Sequence, residues 1–60
     1  MNNYQKLLKA GFKIFRLRER EKSIWENISG GWSLYGHYNS QAEAKRTFSE
    51  LMKDEKNISM

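Results

Sequence analysis

Hydrophobic and polar positions change period along this chain, and each change marks an element. Tyr4, Leu7 and Leu8 stand at i, i+3 and i+4, one face of a short helix. Gly11 follows, where a helix ends cheaply because glycine enters the left-handed region without a Cβ clash. From Phe12 to Arg20 the residues alternate, the pattern of a strand with two unlike faces. Glu21, Lys22 and Ser23 read as a polar turn, and Ile24 to Ile28, β-branched and aromatic, as a second strand. Ser29-Gly30-Gly31 reads as a hairpin turn, since such turns need positive φ angles. Trp32 to Tyr38 reads as a third strand, in which Gly36 signals a bulge or a close backbone approach. Ser40 with Glu43 three residues on is a capping box, and Ala44, Phe48, Leu51 and Met52 continue at helical spacing. This predicts a helix from Gln41 to about Asp54, followed by a loose tail ending at Met60.

The predicted class is therefore α+β, a three-stranded antiparallel sheet with a C-terminal helix on one face and a short N-terminal helix. The expected layout is one domain over 1–60: helix in 1–11, sheet in 12–39, helix in 40–54 and tail in 55–60. Side chains two apart on a strand share a face, which separates inside from outside. Lys13, Phe15 and Leu17 fall on one side of the first strand, and Ile14, Arg16, Arg18 and Arg20 on the other. Unpaired buried arginines cost several kcal/mol each, roughly, so the arginine side is expected to face solvent. On the third strand Trp32, Leu34, Gly36 and Tyr38 form the more apolar side and are expected to meet the helix. Ser33, Tyr35 and His37 then join the arginines. On the second strand Ile24 and Ile28 are expected inside, with Trp25 and Asn27 outside, the alternative being Trp25 as the core residue.

Charge sharpens that picture. The chain has 60 residues, 11 Lys and Arg against 7 Asp and Glu, and a formal charge of +4. Residues 1–22 hold seven basic and two acidic side chains, while residues 23–60 hold four basic and five acidic. An asymmetry of this kind within one small domain implies a basic patch and an oriented field. The expected outer face carries Arg16, Arg18, Arg20, Trp25, Tyr35 and His37, basic groups interleaved with flat rings. Guanidinium groups take phosphates bidentately, and aromatic planes stack on bases or pack along sugars. Lys13, Lys45 and Arg46 are expected to make backbone contacts at its edges.

Two resemblances attach to these residues. A basic strand, a short hairpin, Gly31-Trp32-Ser33-Leu34-Tyr35-Gly36-His37-Tyr38 and then Ser40-Gln41-Ala42-Glu43-Ala44 is similar to plant AP2-type domains and to integrase arm-type DNA-binding domains. That likeness implies an open sheet face laid in the major groove, through Arg16, Arg18, Arg20, Trp25 and Tyr35. The helix–three strands–helix order, with Ser40 to Arg46 opening the second helix, resembles a double-stranded-RNA-binding domain. Ala44 and Lys45 fit that family, while Gln41 and Ala42 stand where it carries phosphate-clamping lysines.

Much chemistry is missing from the sequence. A chain this short buries only about 60% of its unfolded surface, which disfavours a deep cofactor pocket. Zero cysteines remove disulfides, thiolate zinc sites and cysteine nucleophiles. The single His37 has no triad partners at a suggestive spacing, and Gly30-Gly31 lacks the lysine of a phosphate loop. No enzymatic activity, cofactor or metal is expected. The first ten residues have no apolar run of signal-peptide type, and no stretch approaches the roughly 20 apolar residues of a membrane span. A cytoplasmic location is the corresponding expectation, and the two Asn-x-Ser sequences at Asn27 and Asn57 read as coincidence. The expected partner is nucleic acid, double-stranded DNA first and RNA second, bound by a monomer or weak homodimer. The alternative is an acidic protein surface, met by a small interaction module such as an inhibitor encoded by a phage or other mobile element.

Overall fold

A Schellman motif closes the first helix and turns the chain into the sheet. In a computed structural model that describes residues 3–60, with side chains from residue 5 onward, α1 runs Asn3–Lys9. Gly11, at φ +92°, donates to the Leu8 carbonyl at 3.1 Å, and Phe12 to the Leu7 carbonyl at 3.0 Å. The Tyr4 side chain, part of the expected apolar stripe, lies outside the described residues. β1 follows at Lys13–Arg18, then a 3-10 turn at Glu19–Glu21, β2 at Ser23–Ile28 and β3 at Gly31–His37. The second helix, α2, spans Gln41–Leu51, and β4 spans Asn57–Ser59.

The class is α+β, but the sheet has four strands in the order β3-β2-β1-β4 and is mixed. β1–β2 and β2–β3 pair antiparallel, while β4 pairs parallel to β1. The expected loose tail is thus corrected to an edge strand. β1 would otherwise present unpaired backbone groups on that side, and the returning chain supplies partners. Lys13 donates to the Lys56 carbonyl at 2.7 Å, and Met60 to the Phe15 carbonyl at 2.9 Å. α2 ends three residues earlier than its apolar period suggests, at Leu51 and not Asp54. Asp54 is instead a turn residue, whose carboxylate accepts from the Lys56 N–H at 2.9 Å. The start of α2 is as expected: Ser40 Oγ accepts from the Glu43 N–H at 3.1 Å.

The core lies on both sides of β1. Ile14, Phe15, Ile24 and Ala44 are buried, and consecutive residues of a strand point to opposite faces. α2 covers the Phe15 face. Asn57 lies opposite Lys13, on Phe15's side, and its Nδ2 donates to the Leu51 carbonyl of α2 at 2.9 Å. Phe15 meets the helix side as expected, and Leu17 beside it is half-buried. The opposite face is closed at its Ile14 end, where α1 contacts β1. Two assignments on β2 change accordingly. Ile28, expected inside, is 56% exposed at the strand's end, and Asn27, expected outside, is 1% exposed.

Candidate nucleic-acid interface

Hairpin register decides which side chains accompany the arginines. The β2–β3 loop is the two residues Ser29 and Gly30, both at positive φ (54° and 93°), so Ile28 pairs with Gly31. Two-residue loops with positive φ at both positions match the twist of the flanking strands. Asn27 Oδ1 holds the turn by accepting from the Gly30 N–H at 3.0 Å. With that closure, Trp32 lies opposite Asn27 and Leu34 opposite Trp25. Trp25 in turn lies opposite Arg16, and Ile14 opposite Asn27. Directly opposed residues share a face. Trp32 and Leu34, expected against α2, therefore stand with Arg16 and Arg18.

Tyr35 moves the other way. Its ring meets Phe15 edge-on, with centroids 5.1 Å apart and planes at 83°, on the face that α2 covers. The pairing slips by one residue between Ile24 and Trp25: Leu34 faces Trp25 and Gly36 faces Ile24, leaving Tyr35 as the extra residue of a bulge. Past the bulge, His37 lies opposite Ser23, which is opposite Arg18, so His37 stays on the arginine face. Gly36 is also a place of close approach. A Cβ there would lie 2.8 Å from Tyr38 Cζ.

On this face the Arg16 guanidinium sits 4.4 Å from the centre of the Trp32 ring. Among the described residues no carboxylate pairs with Arg16. Trp25 donates from Nε1 to Ser23 Oγ at 3.0 Å, and Ser23 is buried, so the indole is anchored at its polar edge. Arg18 reaches Glu21 at 3.5 Å, with both side chains about half exposed. A pair so open to solvent contributes about 0–1 kcal/mol. Together Arg16, Arg18, Trp25 and Trp32 line a hollow of about 210 Å³.

The chain matches no family model, characterised protein or solved structure.

The remaining expected site residues lie elsewhere. Arg20 falls in the 3-10 turn, because β1 ends at Arg18, and so leaves the row of strand arginines. Lys13 has the parity of Phe15 and points to the other face. Lys45 and Arg46 belong to α2, and Lys45 pairs with Glu19 at 3.7 Å. The structure thus brings together Arg16, Arg18 and Trp25 of the expected set, adds Trp32 and Leu34, and separates Tyr35, Lys13, Arg20, Lys45 and Arg46 from them. The one sequence signal for Trp32 was the loop length, which Ser29-Gly30-Gly31 leaves open between two and three residues. Counting Ser29-Gly30 alone as the loop sets Trp32 opposite Asn27 and hence on Trp25's side. Among the described residues no group of three or more His, Asp or Glu gathers as a metal site, and no helix is long and apolar enough to cross a membrane.

Proposed function

We propose that this chain is a non-enzymatic nucleic-acid-binding domain whose contact surface is the sheet face opposite α2. The observation that carries the reading is the Arg16 guanidinium resting on Trp32 beside Trp25 and Arg18. A guanidinium held on a ring keeps its donors directed outward and loses little freedom when it takes a phosphate. Among the described residues Arg18 has only a solvent-exposed ion pair to exchange for a phosphate oxygen. The rings add planes for bases or sugars. DNA is preferred over duplex RNA for a specific reason. An RNA clamp of the double-stranded type draws on lysines that open the second helix, and here Lys45 pairs with Glu19 while Gln41 and Ala42 carry no charge.

A mobility-shift titration with mixed-sequence oligonucleotides at low and moderate salt tests the proposal. Binding that weakens linearly in log–log form is expected, with a slope of about −0.9 per duplex phosphate neutralised or about −0.7 per single-strand phosphate. Arg18→Ala is expected to reduce that slope by roughly one contact. Absence of binding to any strand form of DNA or RNA would overturn the proposal and turn attention to an acidic protein surface as the partner.

A further inference from the structure

We infer that the Arg16–Arg18–Trp25–Trp32 hollow takes a single strand in preference to a duplex, seating one unstacked base against Trp25 between the two guanidinium groups. The inference rests on the nucleic-acid reading above and specifies its ligand. It starts from how little of this sheet face is open. Ile14 and Asn27 lie on it and are 0% and 1% exposed, so the end where α1 contacts β1 is closed. What remains is Trp32 and two cross-strand rows: Arg16, Trp25 and Leu34, then Arg18 and His37 on either side of the buried Ser23. Arg16 and Arg18 are two positions apart on one strand, about 7 Å, a spacing that suits neighbouring phosphates of one strand, paired or unpaired. A sheet that reads a duplex lays its strands into the major groove, and the buried Ile14–Asn27 end shortens the face available for that here.

The shape of the open part points the same way. It is a recess of about 210 Å³, not a ridge. Duplex bases hide their faces in the stack and offer edges, so an indole plane set in a recess has nothing planar to meet there. An unstacked base offers its whole face. Two further features keep the recess ready. The Ser23 hydroxyl fixes the Trp25 indole at 3.0 Å, and Trp32 fixes the Arg16 guanidinium at 4.4 Å. Groups already immobilised lose little entropy when a ligand arrives. Leu34, 52% exposed beside Trp25, extends the apolar floor along which a neighbouring base or sugar can pack.

The test compares a mixed-sequence DNA single strand with the duplex of the same sequence, by fluorescence anisotropy at one salt concentration and by quenching of intrinsic tryptophan emission. The single strand is expected to bind about tenfold more tightly and to quench the emission. Trp25→Ala is expected to weaken single-strand binding by about 5- to 100-fold, with most of the affinity kept in Trp25→Phe, which retains a stacking ring. The strand preference is measured on the unaltered chain, so it decides the matter even if Trp25→Ala fails to fold. Equal or tighter duplex binding overturns this inference and leaves the nucleic-acid reading in place. Loss of binding to both forms overturns the two together.

Discussion

The Arg16 guanidinium and the Trp32 ring meet at 4.4 Å although β2 lies between their strands. Arg16 reaches across the sheet to do this, and the contact ties the first strand to the edge of the hairpin. Cation–π contacts of this kind contribute about 0.5–2 kcal/mol. Trp32→Ala is expected to release the guanidinium and weaken DNA binding by about 2- to 30-fold, with Trp32→Phe intermediate. Anisotropy titrations of the three proteins check the order. Equal affinities would show that Arg16 needs no platform.

Tyr35 supplies the control on the other face. Its edge-on contact with Phe15 lies on the α2 side of the sheet, where Tyr35 itself stays 47% exposed, and an aromatic pair of this geometry is worth about 1 kcal/mol beyond its buried area. Tyr35→Ala is expected to lower the melting temperature by about 4–8 °C for each kcal/mol lost, while DNA affinity stays as in the parent. Thermal unfolding followed by circular dichroism, paired with the binding assay, separates the two effects.

Asn57 joins the edge strand to the helix through one hydrogen bond, Nδ2 to the Leu51 carbonyl at 2.9 Å. Its Oδ1 is buried with no hydrogen-bond partner among the described residues. Asn57→Ala therefore removes a bond and an unsatisfied acceptor together, and is expected to cost no more than about 1 kcal/mol. Asn57→Asp sets a carboxylate against the same carbonyl and is expected to cost more, about 1–3 kcal/mol. Denaturant midpoints rank the variants. Amide exchange at Met60, which donates to Phe15 across this edge, reports whether β4 detaches.

Alkaline pH gives a fourth expectation. Burial holds the Tyr38 phenol above its ordinary value of 10.0, and the neighbouring Tyr35 and Glu43 push it the same way. A raised value means the folded state favours the protonated, neutral phenol. The corresponding stability is fully present below pH 10.0 and is lost as pH rises through the folded-state value. Stability measured from neutral to strongly alkaline pH is expected to fall on that limb, and Tyr38→Phe is expected to flatten the fall.

Local signals carried a good part of the fold. Gly11 ends α1 in a left-handed residue, Ser40 and Glu43 cap α2, and alternation from Phe12 to Arg18 makes β1. These features depend on neighbours within a few positions, which is why periodicity and capping chemistry expose them. β4 is different. Asn57, Ile58 and Ser59 have no strand pattern of their own, and they become a strand because β1 offers an open edge where α2 returns the chain. A pairing between residues more than forty positions apart leaves no mark on a local window.

The side-chain assignments divide along the same line. Sequence alone determined that Arg16 and Arg18 project together on the face opposite Phe15, because strand alternation needs no knowledge of the partner strand. It also determined the basic N-terminal half and the lack of cysteine chemistry. Which rings stand beside the arginines was decided only in three dimensions. The two-residue turn at Ser29-Gly30 set the register that moved Trp32 and Leu34 to the arginine face and, by alternation, Tyr35 to Phe15, while the bulge at Tyr35 returned His37 to the arginines. With a side-chain period of two, a one-residue change in where a hairpin closes or slips carries a ring from one face of the sheet to the other, and only the paired backbone says which.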